Sequence, residues 1–380
     1  MSSPAATGAE ISRTHRIETV RQQMAARGVD ALLLSHGADL PWLTGYRAMP
    51  LERLTVLVLP REGEAILVVP GLEAPRVPVG SGAFSLRPWS ETEDPITLAV
   101  DALGGRQATI GISDRAWATS LLAFQKRLPG AAWVAASSVT SALRAVKDAA
   151  EISQLRAAGA AADRVAEQLQ SGEIALVGRT EAEVSEEISA RLLAEGHRRV
   201  NFAIVGSGPN GASPHHEAGS RQIGRGEVVV CDFGGEYDNG DDVGYCSDIT
   251  RTVVTGEPAA EVSEAYAVLL AAQQAAVGSV RPGVPAEQID AGARAVIDDA
   301  GLGEYFIHRT GHGIGIEEHE DPYLVAGNRT LLAPGHAFSV EPGLYFPGRF
   351  GMRLEDIVVV GTDGPDPLNT IDHSLVVVDA

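Results

Sequence analysis

The sequence predicts two successive domains: an α/β domain over residues 1–145 and a second domain of helices and glycine-rich strands over residues 146–380. At 380 residues the chain is long for a single hydrophobic core. Short apolar strands alternate with helices up to about residue 145, the pattern of an α/β layer. Around Val146–Glu151 (VKDAAE) the character then changes to a long alanine-rich helix.

Thr14–Gly28 reads as an amphipathic helix, with Ile17, Val20 and Met24 on one side and Gly28 as its stop. Strands follow over Ala31–Leu34, Leu54–Leu59, Ala65–Val69 and Thr109–Ile112, with a helical segment around Leu121–Arg127. Trp42 and Tyr46, in PWLTGY, are expected to pack in the core. In the second half, Glu151–Gln170 places Ile152, Leu155, Ala162, Val165 and Leu169 at helical spacing. Thr180 with Glu183 three residues on is a capping-box pattern. It opens a helix that buries Val184, Ile188 and Leu192 and ends at Gly196. Helices over Val262–Val277 and Ala286–Ala300 precede strands at Ala337–Val340, Ile357–Val360 and Leu375–Val378.

Composition excludes several functions. With 50 acidic against 30 basic side chains the formal charge is −20, unsuited to nucleic acid or an anionic membrane as partner. Two cysteines, Cys231 and Cys246, cannot build a disulfide framework or a four-thiolate zinc site. MSSPAATGAE has no basic start followed by an apolar core, and no apolar run reaches membrane-spanning length. A soluble cytoplasmic protein is the expectation.

Several motifs fail on context. Gly206, Gly208 and Gly211 satisfy G-x-G-x-x-G, but Pro214, His215 and His216 follow where the dinucleotide fingerprint requires a helix. There is no G-x-S-x-G elbow and no Gly-Lys pair for a phosphate loop. The acidic run Asp238–Asp242 resembles the start of a calcium loop, but its twelfth position is Ile249, so a solvated loop is expected.

What remains is a set of carboxylates beside strands, and a histidine cluster. Asp232 follows the strand Val228–Val230, Asp248 precedes Thr252–Val254, Glu341 ends AFSVE, and Glu355 with Asp356 precedes IVVV. A carboxylate beside a buried strand is costly unless something pairs with it. Tyr305–Pro322 adds His308, His312 and His319 within twelve residues, and the glycines that flank His312 let the backbone come close to whatever the imidazole binds. Four carboxylates and the His312 imidazole are best explained together, as ligands converging on two divalent cations whose charge they balance. An oxygen-rich set of this kind suits Mn²⁺ or Co²⁺ better than a structural Zn²⁺, although Zn²⁺ is compatible.

These residues closely resemble the pita-bread metallopeptidases, the family of methionine aminopeptidase, aminopeptidase P and prolidase. The matching pieces are IVGSGPNGASPHH, CDFGG, YCSDITRT, HRTGHGIG, SVEPGLY and RLED, in the family's order. DALLLS and WLTGY are similar to the creatinase/prolidase-type N-terminal domain, which favours the prolidase and aminopeptidase P branch. The resemblance implies an α/β N-terminal domain followed by an α+β pita-bread catalytic domain. It implies Asp232, Asp248, His312, Glu341 and Glu355 as dinuclear ligands, with Asp248 and Glu355 bridging, and a hydroxide between the metals as nucleophile. Glu341 would also shuttle protons, and His215 and His319 would contact the scissile carbonyl and its oxyanion. His308 and Arg353 would orient substrate and the groups behind the ligands, and His216 is expected to be structural.

One departure from the family is a longer stretch between Asp232 and Asp248, by about the length of Asn239 to Val243, most naturally held in a hairpin turn. Cys231 and Cys246 would then lie on facing strands as packing residues. The implied activity is hydrolysis of the Xaa-Pro bond of dipeptides, by a homodimer. The alternatives are an aminopeptidase P acting on longer peptides, a metal-free creatinase-like hydrolase, and an inactive binding protein on the same fold.

Overall fold

The computed structural model describes residues 8–78, 82–105, 108–238, 240 and 243–379. Its contacts divide the chain into two compact units, Met1–Arg144 with Gly240–Val243, and Ala145–Asn239 with Gly244–Ala380.

The first unit runs α1 (Gly8–Arg27), β1 (Ala31–Leu34), α2 (Asp39–Thr44), β2 (Val56–Pro60), β3 (Ile66–Pro70) and β4 (Ser85–Trp89). It continues through α3 (Pro95–Ala102), β5 (Thr109–Ile112), α4 (Ala118–Arg127), β6 (Ala132–Ala135) and α5 (Ser137–Ala145). The strands form one six-stranded sheet in the order β4-β3-β2-β1-β5-β6. Ile17, Val20 and Met24 are buried on α1, and Gly28 ends the helix at φ +67°, a conformation that glycine adopts without strain. Trp42 and Tyr46 are buried in the core. α2, β4, α3, β6 and α5 are absent from the sequence reading. β4 and β6 are half-exposed and so carry no apolar run that would mark them.

The second unit contains α6 (Ala149–Gln170), α7 (Glu181–Ala194), β7 (His197–Ser207), β8 (Val228–Tyr237) and β9 (Tyr245–Val254). Then come α8 (Ala260–Ser279), α9 (Ala286–Asp299), β10 (Gly311–Gly313), β11 (Glu320–Leu324), β12 (Ala337–Val340) and β13 (Gly343–Phe346). β14 (Phe350–Arg353), β15 (Asp356–Val360), β16 (Pro365–Pro367) and β17 (Val376–Val377) complete it. The expected capping box on α7 forms reciprocally between Thr180 and Glu183. Two sheets, β17-β9-β8-β7 and β11-β10-β12-β15-β16, organise the unit, with the β13–β14 hairpin beside them. α6 and α7 share an apolar core with Val229, Cys231, Phe233, Ile249 and Val253 of the first sheet. α8 and α9 share another with Phe338, Val340, Val358 and Val360 of the second. Each sheet therefore buries one face against helices.

Candidate metal centre and active site

Strand alternation sets the acids of the first sheet. Val229, Cys231 and Phe233 face the helices, so Val230, Asp232 and Gly234 face the opposite side. The sequence predicts Asp232 after a strand and Asp248 before one. Instead both lie inside ten-residue strands, β8 and β9, buried along nearly their whole length. Aspartate disfavours strands, which shortens any sequence estimate, but here the strand bond is kept and the carboxylate is given a site. The hairpin pairs Asp232 with Thr250 and Gly234 with Asp248 without a register shift, so the two acids are diagonal neighbours on one face. The longer connection falls between Tyr237 and Tyr245, outside this register. Asn239, Asp241 and Asp242 of the acidic run lie outside the described residues. Cys231 and Cys246 do lie on the paired strands, both free and buried, and burial pushes the Cys231 thiol up to about 12.

The second sheet supplies the rest. His312 is the middle residue of β10, Glu341 follows β12, and Glu355 precedes β15 while bridging to Thr250 of β9. The glycines beside His312 serve strand packing more than ligand approach. A Cβ on Gly311 would lie 1.9 Å from the Ser339 carbonyl oxygen, and one on Gly313 would lie 2.2 Å from that of Asp321.

Donor atoms of Asp248, His312 and Glu355 all lie within 4.8 Å of one another. His312 Nε2 is 3.2 Å from Glu341 Oε1 and 3.7 Å from Asp248 Oδ2. Two donors each about 2.1 Å from one cation sit about 3 Å apart, so this spacing is compatible with donors that share a cation. The His312 Nδ1–H donates to the Gly313 carbonyl at 3.1 Å, so a cation bound among the acids would take Nε2 in place of its proton.

Asp232 joins through Arg353, whose Nη2 donates to Asp232 Oδ2 at 2.5 Å. Asp232 Oδ1 and Asp248 Oδ1 are buried with no hydrogen-bond partner. Orphaned carboxylate oxygens are expensive, and cations satisfy them. The residues present therefore fit divalent cations.

Electrostatics agree. Burial first, then the neighbouring charges of Glu355, Asp232 and Glu341, hold the Asp248 carboxyl well above the ordinary range. Glu355 is raised by burial and by Glu341 and Asp232, and Asp232 by burial against the pull of Arg353. For Glu341 burial pushes upward, but the hydrogen bond and charge of His312, with His308 and Arg353, prevail and hold it at about 2. Bound cations would reverse the rise at the first three, because they supply the positive charge the acids lack.

Asp232, Asp248, His312, Glu341 and Glu355 line one cavity of about 680 Å³ with Phe202, Ile204, Pro214, His215, Ile307, His308, Arg309, Glu318, His319 and Arg353. All nine residues expected at the site are thus brought to its wall. The His319 ring lies 4.1 Å from that of His312 and is pushed down to about 4 by burial, then by the charges of His312 and Arg309. It is neutral at pH 7 and can donate a hydrogen bond.

Three residues escaped the sequence reading. Thr250 donates to Glu355 Oε2 at 2.6 Å and accepts from Arg353 Nε at 3.1 Å. Ser339 accepts the His312 N–H at 3.0 Å and donates to Glu341 Oε1 at 3.0 Å. The Tyr345 hydroxyl accepts from Arg353 Nη1 at 2.7 Å and pairs with His308 Nε2 at 2.9 Å, which explains where His308 is held. Thr250, Ser339 and Tyr345 were visible only as members of YCSDITRT and SVEPGLY. Strand parity would have found Thr250, two residues beyond Asp248 on the same face.

Comparison with known proteins defines the class. The chain belongs to metallopeptidase family M24, whose model matches residues 153–362, and the creatinase/prolidase N-terminal domain matches residues 16–146. It is a metallopeptidase, on the α/β-plus-pita-bread architecture that the sequence predicts.

Among its relatives, a probable dipeptidase PepE of Mycobacterium tuberculosis is 46% identical over 366 residues, covering 96% of each chain. The crystal structure of dipeptidase PepE from Mycobacterium ulcerans shares 44% identity at a TM-score of 0.90, covering 98% of this chain and 100% of that one. A prolidase from Thermococcus sibiricus shares 36% identity at a TM-score of 0.87, covering 95% of this chain and 97% of that one.

Proposed function

We propose that this metallopeptidase holds two divalent cations, Mn²⁺ or Co²⁺ in preference to Zn²⁺, and hydrolyses the Xaa-Pro bond of dipeptides. The observation that carries the proposal is the convergence of four acids and one imidazole in a cavity, with two buried carboxylate oxygens left for cations. Relatives described as dipeptidases and a prolidase support the substrate class.

Asp232, Asp248, His312, Glu341 and Glu355 would hold the ions. Bound there, two divalent cations supply a water of lowered pKa and positive charge against the developing oxyanion. The neutral His319 imidazole presents an N–H to the carbonyl oxygen of the scissile bond, with His215 beside it on the cavity wall. Glu341, hydrogen-bonded by Ser339, carries a proton to the departing imino nitrogen. Arg353 and Tyr345 fix Asp232 and His308, so the acids keep their aim during turnover. Arg353 thereby acts behind the ligands.

A cytoplasmic homodimer accompanies this reading, and sedimentation equilibrium together with cell fractionation tests it. No helix among the described residues is long and apolar enough to cross a membrane.

The activity test uses metal-loaded protein with Leu-Pro, Leu-Pro-Gly and Leu-Gly. Release of leucine from Leu-Pro is expected, and His319→Ala should lower kcat about 100- to 1000-fold with its metal retained, the scale for losing one oxyanion donor. Release from Leu-Pro-Gly alone would point to an aminopeptidase P, and no release from either proline peptide overturns the proposal.

A further inference from the structure

The turn carrying His215 hangs on one buried carboxylate outside the metal centre. Glu181, at the start of α7, is fully buried. Its Oε1 accepts from the Ser207 N–H at 2.8 Å, the Ser207 hydroxyl at 2.7 Å and Asn210 Nδ2 at 3.1 Å. Its Oε2 accepts from Asn210 Nδ2 at 3.0 Å, lies 3.5 Å from the Gly219 N–H, and pairs with His216 Nε2 at 2.8 Å. Helix capping does not require this residue, because Thr180 and Glu183 already close the capping box. Burying a carboxylate is costly, and here the return is a loop gathered onto one point.

That loop presents His215. The Ser213 N–H donates to the Asn210 carbonyl at 3.1 Å, and the His216 N–H donates to the Ser213 carbonyl at 3.2 Å. The second bond closes a turn with Pro214 at its second position, where the fixed proline φ is favoured. His215 is the third corner and lines the cavity. Asn210 before the turn and His216 at its end both terminate on Glu181. From the other side Arg353 Nη1 reaches the Pro214 carbonyl at 3.4 Å.

We infer that Glu181 is a positioning residue for His215, fixing through Asn210 and His216 where that imidazole meets the peptide. The inference rests on the proposed peptidase reading of His215.

The test is a double-mutant comparison on metal-loaded protein with Leu-Pro, using Glu181→Gln and, as a variant at a partly exposed position, His216→Ala. Each should lower kcat roughly tenfold to a hundredfold, the scale for a displaced active-site group. Metal content should stay at the wild-type level. In a His215→Ala background the same changes should alter kcat by less than about twofold, because the group they position is gone. Should Glu181→Gln not fold, His216→Ala carries the same comparison. Wild-type kcat in the folded single variants, or an equal loss in both backgrounds, overturns the inference alone. A wild-type rate from His215→Ala overturns it together with the reading beneath it.

Discussion

Replacing Thr250 by valine removes one hydroxyl from the floor of the site and almost nothing else. The residue is completely buried, and valine keeps both its shape and its preference for a strand. The lost hydroxyl donates to Glu355 Oε2 at 2.6 Å and accepts Arg353 Nε at 3.1 Å, so the change frees a carboxylate and a guanidinium together. A hydrogen bond to a charged group contributes about 1.5–3 kcal/mol, equivalent to about 10- to 100-fold in a binding constant. Removing the outer partner of a metal ligand weakens binding over the same range, about 10- to 100-fold. Thr250→Val should therefore weaken Mn²⁺ binding by that factor, measured by calorimetric titration of chelator-stripped protein. Affinity within about twofold of wild type would refute the claim that Thr250 orients Glu355 as a ligand.

Three further predictions test neighbouring links. Arg353→Ala leaves Asp232 buried without its partner, which should cost about 3–5 kcal/mol in denaturant unfolding of metal-free protein and much less once cations are loaded; an equal cost in both forms would contradict the account. Asp248 and Glu355 have folded-state pKa values raised above their unfolded ones, so the metal-free fold favours their protonated forms and loses that stability as pH rises through the raised values. Chelator-stripped protein should accordingly melt at higher temperature as pH falls from 8 towards 5, and metal-loaded protein should not; Glu341 acts in the opposite sense, but only between its ordinary range and about 2. Gly311→Ala drives a Cβ to 1.9 Å from the Ser339 carbonyl oxygen, so it should cost about 1–3 kcal/mol and displace His312, lowering bound metal in elemental analysis.

The sequence carried the chemistry of the ligands more fully than their surroundings. The five proposed ligand positions stand out because each sets a charge or an imidazole where burial would otherwise penalise it. Helices such as α6 and α7 were legible from spacing, and α7 also from its Thr180 capping box. By contrast, β8 and β9 extend well past the apolar runs that announced them, because cross-strand pairing outweighs the poor strand preference of Asp232 and Asp248. Thr250, Ser339 and Tyr345 carry no charge, and their partners lie 105, 27 and 37 residues away in the chain. Such partnerships exist only in the register between strands. Glycines beside His312 looked like ligand-approach residues, and their reason is the neighbouring backbone.

The central claim is that this cavity holds two divalent cations on Asp232, Asp248, His312, Glu341 and Glu355. The most direct measurement is elemental analysis of protein reconstituted with Mn²⁺ and freed of excess metal, run beside Asp248→Ala and Glu355→Ala. The account predicts about two Mn²⁺ per chain in the wild type, the count for a dinuclear site, with both ions and Leu-Pro hydrolysis lost in either variant. Full hydrolysis by protein holding no metal, or wild-type metal content in either folded variant, would contradict it.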